Sequence, residues 1–138
     1  MKNIKLLSLG LLIVGTTIFS SCGKKGCTDS TATNYCSECK NDDGSCQYNG
    51  QVIFWSSSAW GVANCNITVS VEGVTIGTIT QVYTAPPTCT ASGCVIYTGK
   101  PGTYNYTFTC NGTTGCSTPI TGTVTVTSKG CTAIKMPG

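Results

Sequence analysis

The chain has 138 residues, among them 24 Thr, 17 Gly and 11 Cys, but only 8 Lys, no Arg, 5 acidic residues and no His, for a net charge of +3. That length allows one ordinary domain and something small beside it. Without His or Arg there is no Ser-His-Asp triad, no His-ligated metal and no guanidinium clamp for phosphate. The few lysines are scattered, so no nucleic-acid partner is expected, because that partner needs a basic face.

Lys2 and Lys5 precede an uncharged, largely apolar run of 14 residues, 6–19. That is the length of a signal-peptide apolar region and falls short of the ~20 residues that span a bilayer as a helix. The run ends in Phe19-Ser20-Ser21-Cys22. Small residues before a cysteine resemble the lipobox of bacterial lipoproteins, and Phe in place of the usual Leu is similar to one Gram-negative lineage of them. The resemblance implies a signal peptide over residues 1–21, removed by cleavage, a lipid-bearing Cys22 and a linker over residues 22–26. The alternative is an ordinary signal peptide cut ahead of a structural cysteine. Fatty acyl (palmitate-type) chains, at ~0.8 kcal/mol per buried methylene, would make the membrane the first partner of the chain. Gly23 rather than Asp follows Cys22, which points to the outer membrane, with the periplasmic and surface sides both open. Cleavage leaves six lysines against five acids, a net charge of +1.

With Cys22 set aside, the other cysteines fall into a group of four (Cys27, Cys36, Cys39, Cys46) and a group of six (Cys65, Cys89, Cys94, Cys110, Cys116, Cys131). Even groups in an exported chain read as a disulfide framework, whose connectivity the spacing leaves open. Zinc is the rival for the first group, but a single Cys-x-x-Cys knuckle and an oxidising compartment argue against it. Cys36-Ser37-Glu38-Cys39 also spells a redox motif. No helix is visible to lower a thiol pKa there, so it reads as structural.

Residues 27–48 form a cysteine-rich module. Gly26-Cys27-Thr28-Asp29, Ala32-Thr33-Asn34-Tyr35 and Asp42-Asp43-Gly44-Ser45-Cys46-Gln47-Tyr48 follow one another within it. Together they resemble a short cysteine-flanked module of secreted and surface proteins in bacteria of this type. In that pattern the flanking cysteines stand alone. If Cys27 and Cys46 clasp the ends here, Cys36 and Cys39 should bridge each other. Asp29, Asp42 and Asp43 are candidate calcium ligands, since a hard cation gathers carboxylate oxygens. An EF-hand frame fails, because it would put Cys39 and Gly50 where Asp and Glu belong. The competing and favoured reading makes Asp-Asp-Gly-Ser a turn. Asp29-Ser30-Thr31 is similar to an O-glycosylation pattern of the same lineage.

From residue 50 to 138 the apolar period is two. Val52 and Phe54 alternate with Ile53 and Trp55, and Ile67, Val69 and Val71 with Thr68 and Ser70. Tyr104, Tyr106 and Phe108 alternate with Asn105, Thr107 and Thr109, and Ile120, Val124 and Val126 with threonines. Each run predicts a strand with one buried face and one hydroxyl-bearing face. Turns fall at Glu72-Gly73, Gly99-Lys100-Pro101-Gly102 and Asn111-Gly112, and Gly77 marks a bulge. With Val95-Ile96-Tyr97 and Thr132-Ala133-Ile134, about seven strands and no helix are expected. That is an all-β, small antiparallel β-sandwich, immunoglobulin-like in topology, with a jelly roll as runner-up. For its cysteines we expect Cys89–Cys94, Cys110–Cys116 and Cys65–Cys131. The region also resembles Thr/Gly-rich sandwich domains that follow lipoprotein leaders, a likeness that implies fold and location and no activity.

The sandwich offers catalysis one carboxylate, Glu72, so two carboxylates facing one bond cannot come from it alone. Two aromatics stand in loops as candidate ligand platforms, Trp60 after Ser56-Ser57-Ser58 and Tyr83 before Ala85-Pro86-Pro87. The expectation is a non-catalytic, envelope-anchored lipoprotein, a structural or binding module for a glycan or protein. A calcium-stabilised accessory domain of a surface assembly is the alternative, and a hydrolase a more distant one. No cofactor other than calcium is in view.

Overall fold

The computed structural model describes residues 23–58, 66–112 and 119–137. Seven strands follow in order: β1 (Gly50–Trp55), β2 (Asn66–Val71), β3 (Val74–Ile79), β4 (Val95–Gly99), β5 (Gly102–Asn111), β6 (Ile120–Val126) and β7 (Cys131–Lys135). They form a four-stranded sheet, β3-β2-β5-β6, and a three-stranded sheet, β4-β1-β7. The two sheets make the expected small all-β sandwich, but the strand order differs from the immunoglobulin arrangement, in which the first and second strands share a sheet and the third lies in the other. Among the described residues, every pairing between these strands but one is antiparallel. The exception is β1 with β7, in parallel from Gln51 beside Cys131 to Trp55 beside Lys135. A tight hairpin forces neighbours in the chain to run antiparallel, and that constraint does not reach two strands separated by the whole domain.

The alternation builds the core directly. Ile67, Val69 and Val71 of β2 point inward with Phe108 of β5 and Val124 and Val126 of β6, opposite Val52 and Phe54 of β1 and Val95 of β4. Phe54 bridges the two sheets, its ring 5.7 Å from Phe108 and 5.4 Å from Tyr106. The Glu72-Gly73 turn has positive φ at both residues, 49° and 78°, the tight hairpin geometry that matches strand twist. The expected bulge is present too. Val69 pairs with Gly77 and Ser70 with Thr75, leaving Ile76 as the extra residue. A Cβ at Gly77 would meet the Val95 side chain at 3.2 Å, so this is where β3 closes against β4.

β1 departs from the expectation of one buried face. Ile53 is 0% exposed and Trp55 4%, although both point away from Val52 and Phe54. The sulfur pairing accounts for a cover on that side. Cys89 bonds Cys131, and Cys131 stands beside Gln51, on the same face as Ile53 and Trp55. The β3–β4 connection is thereby tied to the outer face of the three-stranded sheet.

This bridge overturns two expected pairs, Cys89–Cys94 and Cys65–Cys131. The short return that a Cys89–Cys94 bridge was to close is held by backbone instead. The Ala91 N–H donates to the Thr88 carbonyl at 2.9 Å, and Thr80 and Gln81 both donate to the Gly93 carbonyl, at 2.8 and 3.2 Å. Cys94 keeps a free thiol, and burial pushes its pKa upward. Cys110 is disulfide-bonded. Cys65 and Cys116 lie outside the described residues, as do residues 1–21, where a signal peptide is expected, Cys22 and Trp60.

In the small module the conditional pairing is the observed one: Cys27–Cys46 and Cys36–Cys39. Cys27 and Ala32 form its small apolar centre, at 1% and 8% exposure. Asn34 stitches the two halves, its amide N–H donating to the Ser45 carbonyl at 2.7 Å and its oxygen accepting from the Gln47 N–H at 2.7 Å. Closing a loop of this length by Cys27–Cys46 is worth about 3 kcal/mol in the chain-entropy account, a large share for so small a core.

Candidate functional site

The three acidic residues considered for calcium are each used locally. Asp42 accepts from the Gly44 N–H at 3.1 Å and Asp43 from the Ser45 N–H at 3.0 Å, while Gly44 takes φ 75°. That is the turn expected of Asp-Asp-Gly-Ser, with carboxylates capping backbone donors. Asp29 accepts from the Thr31 N–H and hydroxyl at 2.8 and 2.7 Å and from the Tyr48 hydroxyl at 2.5 Å. Among the described residues no three His, Cys, Asp or Glu side chains gather where one ion could be held.

Asp29 instead organises the junction between module and sandwich. The Tyr48 hydrogen bond is the main influence, followed by the Thr31 donors, with Lys129 adding a weaker attraction; together they pull the Asp29 carboxyl down to about 2. The same contact raises the Tyr48 hydroxyl. Across the junction the Tyr48 N–H donates to Ser128 Oγ at 3.0 Å, and the Lys129 N–H to the Asn49 carbonyl at 3.2 Å. Lys129 Nζ lies 3.7 Å from the centroid of the Tyr48 ring, a cation over an aromatic face. Lys129 has φ 56°, which turns the β6–β7 connection toward the module. Nothing in the periodicity pointed to this constellation, because its members lie some eighty residues apart.

Tyr83, one of the two loop aromatics, braces its own loop. Its hydroxyl donates to the Ser92 carbonyl at 2.8 Å, its N–H donates to the Ser56 carbonyl at 3.0 Å, and the ring is only partly exposed. Ser30 of Asp29-Ser30-Thr31 is exposed. Glu72 accepts from the Asn105 backbone N–H at 2.5 Å and from its side-chain amide at 3.3 Å, which commits this carboxylate to holding the β2–β3 turn.

The outer face of the four-stranded sheet is polar across all four strands. No strand of that sheet carries a charged residue. Thr75, Ser70, Thr107 and Thr121 stand in one row across all four strands, with Asn105 beside Thr123 and Thr103 beside Thr125 in the rows next to it. Their hydroxyls partly satisfy one another, Ser70 with Thr75 at 3.1 Å and Thr103 with Thr125 at 3.4 Å. Such a face can exchange hydrogen bonds with neutral hydroxyls or amides, with the Glu72 carboxylate at its edge beside Asn105.

Sequence reasoning passed over Trp55, whose indole is buried. Its Nε1–H finds no acceptor among the described residues, and Lys135 Nζ lies 5.7 Å from the ring. No family model, no curated protein and no solved structure matches the chain.

Proposed function

We propose that the chain is a lipid-tethered, non-catalytic module of the bacterial cell envelope, anchored through Cys22 and serving as a structural or recognition element outside the cytoplasm. The sulfur chemistry supports this reading most directly. Bridges clasp both the small module and the sandwich, and such bonds persist in oxidising compartments and rarely in reducing ones. The leader ahead of Cys22 supplies the matching address. The test is mass spectrometry of the N-terminal tryptic peptide Cys22-Gly23-Lys24. The expected product is cleaved before Cys22 and carries a diacylglyceryl group, and Cys22→Ser should move the protein from the membrane to the soluble fraction. An uncut, unmodified leader would overturn the reading.

Recognition, in this reading, belongs to the threonine-rich face, whose strands carry no charge, and is directed at a neutral partner, a glycan or a polypeptide. A glycan array probed with residues 23–138, compared with a variant carrying Thr107→Lys and Thr123→Lys, reads it out. Binding lost in the variant supports a recognition face. An absence of binding by the unaltered protein leaves the structural role.

A further inference from the structure

We propose that the Cys36–Cys39 disulfide is a thiol–disulfide exchange site, whose substrate is the thiolate of a soluble dithiol. Three observations separate this bridge from the others described. First, both of its cysteines are partly exposed, whereas Cys27 is 1% and Cys89 6% exposed. Exchange requires in-line attack on one sulfur and departure of the other as a thiolate. Opening Cys27–Cys46 or Cys89–Cys131 from the accessible side expels a thiolate into an apolar interior, where burial raises its pKa and makes it a poor leaving group. Either sulfur of Cys36–Cys39 departs into contact with water.

Second, the bridge rests on a glycine. A Cβ at Gly26 would lie 2.6 Å from Cys39 Sγ and 3.6 Å from Cys36 Sγ. Gly26 thus packs against both cysteines and leaves no room for a side chain beside the Cys39 sulfur. Third, backbone hydrogen bonds hold the same turn alongside the bond. The Cys36 N–H donates to the Cys27 carbonyl at 2.8 Å, Cys39 N–H to the Cys36 carbonyl at 3.1 Å, and Lys40 N–H to the Lys24 carbonyl at 3.1 Å. Cys27–Cys46 spans the same stretch from outside. The turn that presents the two sulfurs therefore persists in the dithiol form and holds them in position to close again.

The reaction balances with the dithiol as the only co-reactant. Its thiolate attacks one sulfur of the bridge, the Cys36–Cys39 bond breaks, and the other cysteine leaves as a thiolate that takes up a proton. The second thiolate of the dithiol then attacks its own sulfur in the mixed disulfide, forming a cyclic disulfide and releasing the first cysteine, which is protonated in turn. Two electrons and two protons pass from the dithiol to the bridge.

The test uses the full chain, purified in detergent without reductant and exposed to dithiothreitol for increasing times. Acid quenching, alkylation and peptide mass spectrometry then follow each cysteine. Cys36 and Cys39 should become alkylatable at least about tenfold faster than Cys27, Cys46, Cys89 or Cys131. The β-sheet circular dichroism should be unchanged at that point, and oxidised glutathione should restore the bridge. Labelling no earlier than Cys27 and Cys46, opening only together with loss of the sheet signal, or failure to reclose would each overturn the proposal. Gly26→Ala supplies an independent readout, since a methyl there presses on Cys39 Sγ and should alter the opening rate while leaving Cys89–Cys131 unaffected.

Discussion

The Tyr48 hydroxyl donates to the Asp29 carboxylate across 2.5 Å, while the same ring carries the Lys129 ammonium 3.7 Å from its centroid. One aromatic side chain thus joins an acid of the small module to a base of the sandwich.

The junction sets an acid-dependent component of stability. The folded-state pKa of Asp29, about 2, lies below its ordinary 3.8. A depressed carboxyl contributes stability that is complete above the unfolded value and is lost as pH falls through the folded one. The melting temperature should therefore hold down to about pH 4 and decline from there toward pH 2. Asp29→Asn should melt lower at neutral pH, and the gap from the unaltered chain should close as pH approaches 2. A gap that stays constant in thermal melts across this range would contradict the assignment.

Among the sandwich cysteines, Cys89–Cys131 should matter and Cys94 should not. The bridge has a sequence separation of 42, and removing it by paired substitution to Ala should cost about 4 kcal/mol in the chain-entropy account. Cys94→Ala should change stability by less than about 1 kcal/mol, because it is half-buried and bridges nothing. Its raised pKa should also make it slow toward iodoacetamide at pH 7. Urea unfolding and timed alkylation measure the two effects.

Gly50 opens β1 where the module meets the sandwich, and a Cβ there would collide with the Thr127 carbonyl oxygen. That obstacle is backbone, which cannot swing aside as a flexible side chain does. Gly50→Ala should cost about 1–3 kcal/mol, whereas the equivalent change at Gly102, whose nearest neighbour stands at 3.6 Å, should cost far less. Paired denaturant titrations compare them.

Trp55→Phe should be close to neutral. The substitution gives up some ring area but removes a buried N–H that has no acceptor among the described residues, a group whose burial costs about 1–3 kcal/mol. Trp55→Ala, which leaves a cavity over the three-stranded sheet, should cost about 3–5 kcal/mol. A large loss on Trp55→Phe would mean the indole N–H is bonded after all.

The legible parts of the fold were those governed by neighbours in the chain. Alternation in β2 separates Ile67, Val69 and Val71 from Thr68 and Ser70, the Glu72-Gly73 pair spells its turn, and Gly77 marks its bulge. The Asp-Asp-Gly-Ser turn was readable for the same reason, since each carboxylate caps an amide two residues on. Long-range closure was less accessible. Cys89 and Cys94 are close in sequence, yet the Thr88–Ala91 turn and the Gly93 carbonyl already close that return, and Cys89 reaches Cys131 instead. Periodicity gave Ile53 and Trp55 an open face, because it cannot register a loop folded over a sheet. Tyr48, Asp29 and Lys129 meet through tertiary structure alone.

The side-by-side alignment of β1 and β7 has a kinetic meaning. The strand that enters the sandwich first sits in the middle of its sheet and lacks one neighbour until Cys131–Lys135 arrives. Contacts between such distant segments form slowly, so β1 has no neighbour until Val95–Gly99 is available and only one until Cys131–Lys135 docks. Deleting β7 should therefore prevent the domain from forming at all, where trimming an ordinary frayed tail would merely loosen it.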